Sequence, residues 1–184
     1  GPMDVWQESE YPWLVEEKAA IRKAVSELGM PYVGICLGHQ LLADALGGEV
    51  GLGEHTEVGV MEIHKTDAGK SSSYLKKMPN KINCLQWHSA EVKHAPIGMD
   101  ILSYSEKCSI QSLSSGSRVL TMQYHQEITA SAISDWSTIP TYNYFLGKSR
   151  GENFMNKLEQ EVLKNITNFN KTARQLYTNW KSII

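Results

Sequence analysis

Cysteine is scarce in this sequence. Cys36, Cys84 and Cys108 are the three cysteines among 184 residues. An odd number at such wide spacing makes neither a disulfide framework nor a CxxC metal knuckle, and it fits a reducing, cytoplasmic setting. Long apolar runs are missing too. Nothing approaches the roughly 18 residues of a spanning helix, and no charged segment leads into the apolar core of a signal peptide, so no membrane association is expected. Charge of one sign is also lacking. Eighteen Lys and Arg stand against 20 Asp and Glu, a formal net charge of -2, and their scatter excludes the footprint of a nucleic-acid binder. A small neutral or zwitterionic substrate suits this balance better. His55, His64 and His94 have no partners at metal-ligand spacing, so neither a metal nor a cofactor is expected. With no repeat, low-complexity tract or linker, residues 1–184 read as a single domain.

What is present alternates first and then changes character. From Pro12 to Leu28, Leu14, Ile21, Val25 and Leu28 fall on one helical face, and Gly29 followed by Pro31 stops the helix. Tyr32 to Ile35 is a short β-prone run. From His39, the apolar Leu41, Leu42, Ala45 and Leu46 form a second helical stripe that ends at Gly47 and Gly48. Residues Val58–Ile63, Ile82–Trp87, Ile101–Tyr104, Ser109–Leu113 and Val119–Tyr124 read as strands between Gly, Pro, Ser and Lys loops. Phe154, Leu158, Val162, Ile166, Phe169, Ala173, Leu176 and Trp180 then step by three or four, as an amphipathic helix packed on the domain does. The order predicts an α/β sheet with helices on both faces and antiparallel additions.

The segment Gly34-Ile35-Cys36-Leu37-Gly38-His39-Gln40 sets a cysteine between two glycines where a strand becomes a helix. That is the pattern of a nucleophile elbow, in which side chains two positions either side of the apex are expected to collide with neighbouring backbone. The N–H groups opening the next helix favour thiolate over thiol at Cys36. After the strand at 119–122 comes Gln123-Tyr124-His125-Gln126-Glu127. A His-x-Glu pair such as His125 and Glu127 can supply a base for a thiol proton and a carboxylate that fixes the ring.

These two segments resemble the G-x-C-x-G-x-Q and Q-F-H-P-E motifs of class I glutamine amidotransferases. Tyr124 stands where that family usually has phenylalanine, and Gln126 where it has the proline that stiffens the turn. The resemblance implies a flavodoxin-like sheet and a triad of Cys36, His125 and Glu127. It implies glutamine as substrate, hydrolysed through a Cys36 γ-glutamyl thioester, with ammonia passed to a synthetase partner. Gln86-Trp87-His88-Ser89-Ala90-Glu91-Val92 is similar to the segment that holds bound glutamine in the family, which makes Gln40, Trp87, His88 and Ser89 the expected substrate-binding residues. Leu37 N–H is a natural first oxyanion donor. The second would be Gly1, because Gly1-Pro2-Met3 resembles the family's glycine loop. Family domains carry further strands before that loop, so the chain is expected to lack the first strands and to expose a sheet edge prone to association. The stretch Thr172–Trp180 resembles stand-alone, GMP-synthase-like members. Three alternatives remain open: a γ-glutamyl hydrolase, an inactive glutamine-binding or regulatory module, and an elbow-cysteine stress hydrolase, against which His125-x-Glu127 argues.

Overall fold

A computed structural model describes residues 2–139, 151 and 153–184. Helix α1 (Trp13–Arg22) buries Leu14 and Ile21 and runs into a π-helical turn at Lys23–Glu27. Strand β1 (Tyr32–Ile35) follows and, after one residue, helix α2 (Leu37–Ala45). Next come β2 (Glu49–Lys65), α3 (Asp67–Ser71), a short 3-10 turn, β3 (Lys81–His94), β4 (Asp100–Tyr104), β5 (Ser112–Ser115) and β6 (Val119–Met122). Helices α4 (Ala132–Ser137) and the long α5 (Phe154–Ile183) come last among the described residues.

Among the described residues, six strands form one sheet in the order β1-β6-β5-β4-β2-β3. Strands β1 and β6 run parallel, and the other pairings are antiparallel. The fold is therefore α/β with antiparallel additions, and here the additions are the larger part. Successive side chains of a strand point to opposite faces, and β6 shows what this does. Val119 packs with Leu14, Ile21, Leu41 and Leu42 of α1 and α2. Its neighbours Leu120 and Met122 face Leu176 of α5, with Trp180 and Ile183 alongside. Helices thus cover both faces at the parallel end. The middle of the α5 stripe, Leu158, Val162 and Phe169, packs on Leu85 and Trp87 of β3 and on Ile133 of α4.

Two strands run well beyond their apolar cores. The expected Val58–Ile63 falls in the second half of β2 and Ile82–Trp87 in the first half of β3, the paired inner part of a long antiparallel hairpin whose ladder shifts register between Leu52 and Glu57. Residues 49–56 are largely exposed and Gly- and Glu-rich, so backbone pairing rather than side-chain burial extends this strand. Strand β5 begins at Ser112 rather than Ser109. Gln111 instead bonds its N–H to the Ser103 carbonyl beside an irregularity in the β4–β5 ladder.

The register Ile35↔Met122 sets the ends of β1 and β6 side by side, so the residues after each strand meet. Close packing at the first end depends on Gly34. A Cβ there would lie 2.5 Å from the Gly38 carbonyl oxygen and 2.8 Å from a ring carbon of Tyr32. The matching expectation for Gly38 is corrected by the structure. A Cβ at Gly38, within the first turn of α2, would meet only the Tyr32 hydroxyl at 3.6 Å, an ordinary contact, so no neighbouring strand backbone lies within reach of it.

The second end is held by Gln126, which is buried. Its Nε2 donates to the Asn83 carbonyl at 2.9 Å, and its Oε1 accepts from Thr172 Oγ1 of α5 at 2.5 Å. Two hydrogen bonds to separate elements thus restrain the turn that a proline would have stiffened.

Gly34→Ala is expected to lose about 1–3 kcal/mol of stability through overpacking against fixed backbone. Gly38→Ala should be neutral, or stabilising by at most about 1 kcal/mol, since alanine is the better helix residue. Chemical denaturation of the two variants checks this contrast. Gln126→Leu should cost about 1–3 kcal/mol by stranding buried partners. Amide exchange at His125, whose N–H bonds the Leu85 carbonyl at 2.8 Å, should quicken in that variant.

Candidate active site

The site begins with a backbone conformation. Cys36 has φ 51° and ψ -107°, a region that non-glycine residues rarely occupy and that costs about 1–3 kcal/mol to hold. Hydrogen bonds on both sides enforce it. Its N–H continues the β1–β6 ladder to the Met122 carbonyl at 2.8 Å, and its own carbonyl accepts from His39 and Gln40 N–H at 3.0 and 3.2 Å, opening α2. The half-buried side chain is thereby turned away from both strand and helix, towards the loop after β6 and towards β3.

Three elements meet the sulfur. Gln123 Nε2 lies 3.6 Å from Sγ, and the Trp87 carbonyl oxygen 4.0 Å from it. The His125 ring and the Leu37 N–H at the start of α2 complete its polar surroundings. His125 is fixed through its backbone, which exchanges both hydrogen bonds with Leu85 of β3 at 2.8 and 3.1 Å. Its Nδ1 lies 2.6 Å from Glu127 Oε1, leaving Nε2 to serve the thiol. Trp136 of α4 stands edge-on to the His125 ring, with centroids 5.2 Å apart, and edge-on to Trp87 at 5.1 Å.

Electrostatics follow from this arrangement. Burial pushes the Cys36 thiol up, but the hydrogen bond and charge of His125, with the Leu37 N–H, outweigh it and hold the thiol below its ordinary range. Burial pulls His125 down, yet its bonds to Cys36 and Glu127 raise it to about 9. Burial likewise opposes ionisation of Glu127, and the His125 partner reverses that, keeping the carboxyl below the usual range. Together these directions describe a thiolate–imidazolium pair steadied by a carboxylate, and the titration belongs to the pair rather than to either group. Cys84 and Cys108 behave oppositely, since burial pushes both thiols up, the latter to about 12.

The structure brings Cys36, His125, Glu127 and Leu37 together; Gly1 lies outside the described residues. The substrate-segment residues divide. Ser89 is exposed and accepts a hydrogen bond from Thr56 Oγ1 at 3.3 Å. Trp87 offers its carbonyl to the sulfur while its ring packs in the core with Leu85 and Phe169. Gln40 and His88 turn inward. Gln40 Nε2 donates to the Ala90 carbonyl at 3.0 Å and to Gln123 Oε1 at 2.8 Å. His88 pairs with the buried Glu57 at 3.0 Å, which also accepts from Ser105 and Gln111, both at 2.8 Å. Gln123, Trp136, Glu57, Ser105 and Gln111 were not singled out from the sequence. Gln123 was within the recognised motif, whereas the others join through sheet pairing and helix packing that leave no local pattern. Among the described residues no group of His, Cys, Asp or Glu is arranged to hold a metal ion, and no helix is long and apolar enough to cross a membrane.

Comparison with known proteins places this geometry. Residues 1–135 match the family model for glutamine amidotransferase class-I. Among curated relatives, a subunit of the glutamine-hydrolyzing GMP synthase of Thermococcus kodakarensis is 35% identical over 111 residues, 60% of this chain and 57% of that protein. Its counterpart in Methanocaldococcus jannaschii is 35% identical over 100 residues, 54% of this chain and 52% of that protein. The matches thus span about half the length of these relatives. A solved glutamine amidotransferase from Thermotoga maritima superposes with TM-score 0.84 at 25% identity, covering 98% of this chain and 74% of that one. Another, from Methylobacillus flagellatus, gives TM-score 0.76 at 25% identity, covering 94% and 70%. With the elbow cysteine, the His-x-Glu pair and the matched sheet all in one register, the chain belongs to the class I glutamine amidotransferase family.

Proposed function

We propose that this chain hydrolyses the side-chain amide of glutamine, with Cys36 as nucleophile, His125 as acid and base, and Glu127 as the group that orients and charges His125. The observation that carries the proposal is the ordering of His125 between the elbow thiol and Glu127, with the pair poised as thiolate and imidazolium. The thiolate adds to the γ-carboxamide carbon, and the Leu37 N–H at the positive end of α2 stabilises the resulting oxyanion. His125 gives its proton to the nitrogen as the C–N bond breaks and ammonia leaves, producing a γ-glutamyl thioester. Neutral His125 then takes a proton from water as water attacks that thioester, and glutamate and the thiolate are restored. Splitting one large barrier into two is what the nucleophile contributes. Trp87 and Trp136 form an apolar wall beside the base, suited to the methylene stem of the substrate.

The ammonia is passed to an acceptor held by a synthetase domain or subunit. Relatives named as one subunit of a glutamine-hydrolyzing GMP synthase support a synthetase partner of that kind. No nucleic acid or cofactor takes part in the steps above, and a cytoplasmic location suits the free thiols.

Ammonia released from glutamine is expected to fall to background in Cys36→Ala; equal rates in the two proteins would overturn the mechanism. Glu127→Gln should lower the rate by about 100-fold or more while the protein stays folded, since it removes the charge that sustains the acid–base ring. Leaving-group protonation needs imidazolium, whose pKa is raised to about 9. The rate is therefore expected to hold through neutral pH and decline as pH rises through about 9. It should also decline at low pH, where the thiolate gains a proton. In Glu127→Gln the alkaline limb should move down in pH, which a stopped-time ammonia assay across pH 5–11 would detect (roughly the span of both limbs).

A further inference from the structure

We propose that Gln123 is a dedicated hydrogen-bond donor to the Cys36 sulfur, and that Gln40, His88 and Glu57 are positioning residues that fix which end of its amide faces the thiolate. The proposal rests on Cys36 being the nucleophile, and it follows from matching donors to acceptors along one chain of contacts.

An amide side chain has a donating and an accepting end, and only its partners decide which points where. The decision here starts at a backbone carbonyl, a group with no donating form. The Ala90 oxygen lies 3.0 Å from the Gln40 amide, so that atom is Nε2. Its second hydrogen reaches the Gln123 amide at 2.8 Å, so the atom there is Oε1. The remaining end of Gln123, Nε2, is therefore the one 3.6 Å from Cys36 Sγ. Both glutamines are buried, which leaves bulk water no part in the choice.

The same Ala90 oxygen accepts from His88 Nδ1 at 3.0 Å, while His88 Nε2 faces Glu57 Oε2 at 3.0 Å. Both ring nitrogens thus face oxygen atoms, one a backbone carbonyl and the other a carboxylate. Burial opposes the Glu57 charge, but the bonds from His88 and Ser105 outweigh it and keep that carboxyl below its usual range. With side chains only 2% exposed on each partner, this is a buried hydrogen-bonded pair beside the carbonyl on which the amide chain depends. His39, next along α2, stays neutral: burial and the nearby His88 lower it to about 3, and its Nδ1 lies 2.7 Å from Thr121 Oγ1. The titratable groups facing the assembly include His125 and Glu127 on the sulfur side, and His39, His88 and Glu57 behind it, with Lys107, Cys84 and Cys108 within electrostatic reach of Glu57. None of them takes the place of a neutral N–H donor at Sγ.

The test reads the thiol directly and needs no glutamine turnover, so it gives an answer even for a chain that hydrolyses nothing. Iodoacetamide alkylation of the full chain is followed against pH, with the Cys36 peptide quantified by mass spectrometry. Gln123→Met keeps the length of the side chain and removes the donor. Its alkylation midpoint should rise by about one pH unit, equivalent to a roughly tenfold slower reaction on the acid side of the midpoint, because a hydrogen bond to the charged form is lost. Gln40→Met, which leaves Gln123 free to turn, should shift the midpoint the same way, and Gln123→Glu should shift it further by setting a carboxylate against the sulfur. Far-ultraviolet circular dichroism identifies the folded variants, and Gln123→Glu serves if Gln123→Met does not fold. A midpoint unchanged from wild type in the folded Gln123 and Gln40 variants would overturn the proposal. A Gln40→Met midpoint that stays put while that of Gln123→Met rises would overturn the positioning role of Gln40, Glu57 and His88.

Discussion

The positive φ of Cys36 is held by two hydrogen-bonding systems that pull on the same peptide. On one side its N–H belongs to the parallel pairing of β1 with β6, and on the other its carbonyl belongs to the first turn of α2. A residue that ends a strand and starts a helix without an intervening loop has no freedom to relax, so the strain persists as long as both elements do. Everything else in the site is arranged around the direction this imposes on one Cβ–Sγ bond. Gly34 is glycine because the strand and helix close so tightly behind the apex. The loop after β6 reaches the sulfur because the partner strand ends at the same level.

Behind that apex the interior is polar. Gln40, Glu57, His88, Gln111 and Gln123 are all at most 7% exposed, and such groups are tolerated in a protein interior only when partnered. Here they are partnered mainly by one another and by the Ala90 carbonyl, with Gln111 Oε1 the exception among these five. The apolar packing needed for stability is supplied elsewhere, by α5 across one face and by α1 with α2 across the other. The molecule thus separates its two tasks in space. The helices bury apolar area, while the sheet between them carries a layer of hydrogen-bonded polar side chains.

The sequence disclosed the parts of this scheme that follow local periodicity. The elbow was legible because Gly34, Cys36 and the stripe Leu41–Leu46 lie within one short segment, and His125 and Glu127 because they are two residues apart after an apolar run. The α5 stripe was legible from its step of three and four. Residues 49–56 of β2 were not, since their strand character comes from pairing with β3 and not from alternation. The inward turn of Gln40 and His88 was hidden for a related reason. Both are polar residues beside a reactive cysteine, and only the register of β3 against α2 decides that they face carbonyls and carboxylates of the interior. Gln126 shows the reverse case, where a residue departing from a familiar motif is restrained by contacts 43 and 46 positions away in the chain.

The exchange of two backbone hydrogen bonds between His125 and Leu85 has a geometric consequence. Strand β3 carries the carbonyl of Trp87 beside the sulfur, the carbonyl of Ala90 that orders the amides, and, through Leu85, the backbone of the base. All three are referenced to the single stretch from Leu85 to Ala90. A small displacement of that strand moves them as a unit and preserves their distances from one another, so errors of position are shared rather than accumulated. The site is thus built from two parts, an elbow and a strand, joined through the loop after β6 that carries the base.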